Sequence, residues 1–165
     1  MLSFQQAKEI AEKSIQSQHH PSDAKLIIVD SDIIEKPYAW IFPYSTKQWL
    51  EGDINYALGG NAPLFIDKQD GRISTFRTGL SIDGMIDEYE EQNKVWCLKI
   101  TPVIYSNTEK LLVLKNVLNF SQSEIMRLKE NNSEVVNTGS KRRLENLAFL
   151  LENSGVANEI VLTKT

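Results

Sequence analysis

Few residue types in this chain can do chemistry, and their spacing narrows what they could do. His19 and His20 stand side by side and are its only histidines. Imidazoles bind metals, but a zinc site takes three or four ligands, so a lone pair reads as solvated loop. Cys97 is the single cysteine. It could act as a nucleophile with one of those histidines. No local signature of a cysteine protease surrounds it, and a small buried apolar role fits better. Asp30 and Asp32 lie two apart, on one face of a strand expected over residues 25–35. Paired carboxylates suit acid–base work or a cation. With no third ligand or base nearby, they read as a solvent-facing edge. The run GGNAPLFIDKQDGRISTF, residues 59–76, resembles a phosphate cradle only in its glycines. A P-loop needs GxxxxGK[ST] leading into a helix. Here the lysine is absent and a strand follows. Gln69-Asp70-Gly71 instead supplies the left-handed position of a hairpin turn between residues 63–67 and 72–76. No catalytic residue, cofactor or metal is therefore expected, and the chain does not read as an enzyme.

The elements that would hold such residues belong to an ordinary globular composition. The chain has 165 residues, 41% hydrophobic and 24% charged, enough for one domain or two small ones. No internal disulfide can form, which allows a reducing compartment. The N-terminus MLSFQQAKEIAEKS has no apolar signal-peptide core, and no apolar run approaches a membrane span. A soluble, cytoplasmic protein is expected. Charge is uneven. Residues 1–94 carry nine Lys and Arg against fifteen Asp and Glu, and residues 95–165 carry nine against seven. An acidic front half argues against a nucleic-acid footprint there.

Ser3 can cap a first helix whose Phe4, Ala7, Ile10, Ala11 and Ile15 form one apolar stripe, ended by His19, His20 and Pro21. Tyr38, Trp40, Phe42 and Tyr44 alternate along a strand. An aromatic row can stack nucleobases, but in an acidic context a core face is the better reading. Residues 49–58 could be a short helix and loop. Residues 82–92 read as a helix with Ile82, Met85, Ile86 and Tyr89 inward. Its outer face carries Asp83, Asp87, Glu88, Glu90 and Glu91, either a solvated face or a docking surface for a basic partner.

After a short linker at residues 90–94, the order β-α-α-β-α-β follows from pattern. A strand carries Val95 and Cys97 on one face and Trp96, Leu98 and Ile100 on the other. Asn107 or Thr108 caps one helix, Ser121 and Glu124 form a capping box, and Ser140 caps a third helix closed by Gly155. Lys141, Arg142 and Arg143 crowd the first turn of that third helix, where cations oppose the macrodipole. They are either a solvated turn or the mate of an acidic surface. The fold class expected is α+β: an N-terminal helix with antiparallel sheet, then a small β-α-α-β-α-β domain.

The set AWIFPYSTKQWLEGD, LGGNAPLFIDKQDGRI and a helix ending DEYEEQ resembles the immunity protein 35 family, the YrhB-type domain. Trp40, Phe42, Tyr44, Gly60, Asn61, Ala62, Pro63, Asp67 and Gly71 stand where that pattern asks. The resemblance covers residues 1–92. It implies a small α+β protein, without catalytic residues, that binds and blocks a polymorphic toxin encoded beside it. Some members are thought of as small chaperones. Residues 95–165 resemble the C-terminal domain of the bacterial ribosomal stalk protein, best in LLENSGVANEIVL. Asn119-Phe120-Ser121 stands where its Gly-rich segment would be, so only the fold is implied. The expected function is toxin neutralisation by a non-enzymatic immunity protein. A chaperone or adaptor binding unfolded clients is the alternative. The residues expected to meet the partner are Asp83, Asp87, Glu88, Glu91, Lys141, Arg142 and Arg143. Neither nucleic acid nor membrane is expected as a partner.

Overall fold

The computed structural model describes residues 1–18 and 24–163, so the paired histidines at 19 and 20 lie outside the described residues. The chain divides into two compact units, Met1–Met85 and Ile86–Thr165. The division falls inside a helix, ahead of the linker expected at residues 90–94.

In the first unit, α1 (Phe4–Gln16) opens with a full capping box between Ser3 and Gln6. Its stripe behaves as expected: Ala7, Ala11 and Ile15 are buried and Ile10 packs beside them. Phe4 is partly exposed but meets the Trp40 ring edge-on at 5.0 Å. Residues 25–35 are not one strand. They form β1 (Leu26–Ile28), a 3-10 turn (Asp30–Asp32) and β2 (Ile34–Glu35). Asp-Ser-Asp side chains compete with ladder bonds and favour turns. Asp30 therefore leaves the strand and pairs with Lys8 at 2.7 Å.

The aromatic row is also divided. β3 (Ala39–Phe42) and β4 (Tyr44–Thr46) belong to different sheets, because Pro43 between them cannot donate to a ladder. β4 pairs with β1, and a four-stranded antiparallel sheet runs β2-β3-β5-β6, with β5 at Leu64–Asp67 and β6 at Ile73–Ser74. Phe42 is buried in one core with α1, Leu64 and Ile66, and Trp40 and Tyr44 pack against it partly buried, so the core reading holds for these three. Tyr38, expected in the same row, is half-buried and outside that cluster. Each large side chain buried there contributes roughly 1.5–3 kcal/mol.

The hairpin answer to the glycine-rich run holds too. Phe65 faces Ser74 and Ile66 faces Ile73 across β5 and β6. The Gln69 amide donates to the Asp67 carboxylate at 2.7 Å. Gly71 turns with φ +74°, and a side chain there would press on Ile10 and Leu2. Between β4 and β5 lie α2 (Lys47–Leu50) and a 3-10 turn (Ile54–Tyr56).

The helix α3 (Ile82–Asn93) runs through the expected linker, and only Lys94, with φ 49°, turns the chain into β7 (Trp96–Ile100). The second unit then follows the expected order: α4 (Thr108–Leu118), α5 (Gln122–Glu130), β8 (Val135–Gly139), α6 (Lys141–Asn153) and β9 (Asn158–Leu162). The sheet runs β8-β7-β9, antiparallel throughout. Leu98 and Ile100 bury against Leu114, Leu118, Ile125, Leu144 and Leu151, with Trp96 alongside. Pro102 stops β7 short and starts a 3-10 turn. The Ser121–Glu124 capping box is complete. The Ser121 hydroxyl and amide hold the Glu124 carboxyl below its ordinary range. Gly155 closes α6 with φ +75°. Cys97 is buried.

Candidate protein-interaction surface

The acids of α3 and the bases of α6 were expected to face a partner, and the structure brings them to each other. Arg142 reaches Asp87 at 3.2 Å and Arg143 reaches Glu91 at 3.0 Å. Glu91 Oε2 also accepts the Ser140 amide at 2.8 Å, and Glu90 Oε2 accepts the Lys141 amide at 2.7 Å. Two carboxylates thus satisfy free amides at the N-terminus of α6 and supply the negative charge its dipole favours. That resolves the oddity of three cations in a first helical turn. The acidic surface that offsets them lies in the same unit, about fifty residues earlier. Burial alone would raise the Glu91 carboxyl, but the Arg143 hydrogen bond, the Ser140 amide and the guanidinium charge outweigh it and hold it low. Glu90, placed on the outer face by helical spacing, is 4% exposed.

Asp83 is exposed, Glu88 accepts from the Gln92 amide group at 3.0 Å, and Lys141 lies 3.8 Å from Glu145 and over the Trp96 ring. Among the described residues no group of three or more His, Cys, Asp or Glu could hold a metal ion, and no helix is long and apolar enough to cross a membrane.

A second feature sits in the first unit, within residues 49–58, where the sequence predicts a short helix and loop. Between β4 and β5 the chain projects Trp49 (43% exposed), Leu50 (48%) and Ile54 (76%). The backbone under them is fixed. Thr46, almost wholly buried, donates its hydroxyl to the Tyr56 carbonyl at 2.6 Å and accepts the Trp49 amide at 3.2 Å. Asp53 takes the Gln48 carbonyl through its amide at 2.9 Å and accepts the Asn55 amide on its carboxylate at 3.0 Å. Asn61 donates to the Tyr44 carbonyl at 2.6 Å, across the foot of the loop. Gly60 holds φ +77° beside Thr78. The G-N-A-P element therefore has a physical role: Gly60 supplies the left-handed turn and Asn61 ties the returning chain to β4.

Comparison with known proteins places this segment. The model of the family described as immunity protein 35 matches residues 5–92, more than half of the chain. A curated relative, uncharacterized protein YrhB of Escherichia coli (strain K12), is 33% identical over 73 residues, covering 44% of this chain and 78% of the relative. No solved structure matches. The likeness of residues 95–165 to the ribosomal stalk domain is not supported. The family match ends at residue 92, and only the element order of that half stands.

Proposed function

Because this chain belongs to the immunity protein 35 family, we propose that it binds a bacterial protein toxin and neutralises it without chemistry of its own. The toxin is encoded by a neighbouring gene, and the encounter takes place in the cytoplasm. The observation that carries this reading is the family match over residues 5–92. Neutralisation by binding requires a stable surface that excludes water around a few anchoring side chains. It also favours charge complementary to the target, and the acidic front half suits a basic toxin surface. Asp83 supplies charge for such a contact in the first unit, and Glu88 on α3 and Lys141 on α6 supply it in the second. Asp87, Glu91, Arg142 and Arg143 contribute there while keeping their pairs with each other.

The test is co-expression of this chain with the product of the adjacent gene in a growth assay, followed by pull-down. The neighbour alone should arrest growth, and this chain should restore it and co-purify with it. A harmless neighbour, or recovery of this chain with many unrelated unfolded clients, would replace the immunity reading with a chaperone or adaptor.

A further inference from the structure

We infer that the loop between β4 and β5 is the docking element for the toxin, with Trp49 and Ile54 entering an apolar pocket framed by basic residues. This rests on the immunity reading above and names the surface that serves it. Three large apolar side chains, two about half exposed and Ile54 three-quarters exposed, lie within six residues of chain. Exposed Trp is the residue type most enriched where binding energy concentrates. The loop is pre-organised. Thr46, Asp53 and Asn61 fix its backbone from below, so little conformational entropy remains to be lost on binding. A surface that takes many unrelated clients needs the opposite, flexible side chains that repack.

Charge selects the kind of partner. The loop carries Glu51 and Asp53 against Lys47; Lys47 and Glu51 pair at 3.3 Å, which leaves the negative charge of Asp53. The unit around it, residues 1–85, has eleven Asp and Glu against eight Lys and Arg. A second copy would meet like charge, and an anionic lipid surface would be repelled as well. A protein with a basic rim around an apolar pocket fits.

The experiment measures binding of the full-length chain to the polypeptide encoded by the adjacent gene, by calorimetry. Trp49→Ala with Ile54→Ser should weaken binding about 30-fold or more with an unchanged melting temperature. Leu112 and Phe149 in the second unit are also exposed apolar residues, and the control pair Leu112→Ala with Phe149→Ser should stay within about threefold. Wild-type binding with an unaffected loop variant would overturn the docking assignment and leave the immunity reading intact. Absence of wild-type binding would overturn both. Trp49-dependent sedimentation of the chain with phosphatidylglycerol vesicles would overturn the assignment in favour of a lipid surface.

Discussion

Glu91 and Arg143, fifty-two residues apart, close a 3.0 Å ion pair over the Cα of Gly139. Gly139 has φ +154°, and a Cβ there would fall on the Glu91 carboxylate and the Arg143 guanidinium. The glycine ending β8 is therefore required twice, by backbone conformation and by space. Gly139→Ala should cost roughly 2–3 kcal/mol in urea unfolding. Unfolding at the wild-type midpoint would show that the pair moves aside without penalty.

Glu90 is the more buried of the two acids at the start of α6. Its removal leaves the Lys141 amide without its carboxylate. Glu90→Ala should destabilise by about 1–3 kcal/mol. Amide exchange at Lys141 should accelerate while that at Leu98 follows global stability. Equal protection of Lys141 in both proteins would refute the capping role.

The low Glu91 pKa gives a signed pH dependence. A carboxyl held below its ordinary 4.5 in the folded chain adds stability above that value and loses it as pH falls through the lower folded value. Glu91→Gln should therefore remove part of the acid destabilisation. Below pH 4.5 the melting temperatures of variant and wild type should converge, and at neutral pH the wild type should be higher. The carboxylate is about half exposed, so the difference is small and shrinks further in salt. Parallel curves would contradict the linkage.

Tyr105 tests the second core from the alkaline side. Its hydroxyl donates to the Ser133 carbonyl at 2.6 Å, and burial raises its pKa above 10.0. Stability from the neutral phenol is present below that ordinary value and is lost as pH rises through the folded value. Tyr105→Phe should cost about 1 kcal/mol at neutral pH and flatten the decline above pH 10. An unchanged alkaline limb would contradict this.

Thr46→Val keeps the shape of a buried side chain and removes both bonds to the loop. The cost expected is about 1–3 kcal/mol, with faster exchange of the Trp49 amide. Toxin affinity should fall although every apolar anchor remains. Retained affinity with a loosened loop would show that pre-organisation is dispensable.

Local pattern carried much of the fold. The α1 stripe, the hairpin at Gly71, the Ser121–Glu124 box and the β-α-α-β-α-β order all depend on spacing within a few residues, and all stand. What spacing could not show was long-range. Helical periodicity put Glu90 on a wet face because nothing local reveals that the amides of α6 come to it. The same distance hid the pairing of Asp87 and Glu91 with Arg142 and Arg143. Alternation ran residues 25–35 into one strand because the side-chain competition of Asp30 and Asp32 is not visible to a period of two. The exposure of Trp49 and Ile54 was illegible for a similar reason. An apolar residue in a loop looks the same whether it folds inward or projects.

The most direct test of the central claim titrates the purified toxin with the purified chain and follows the toxin's activity. A binding immunity protein predicts loss of activity that is complete at an equimolar ratio and recovers when the complex is separated under denaturing conditions. Inactivation far below equimolar, or full toxin activity at a large excess of this chain, would contradict it.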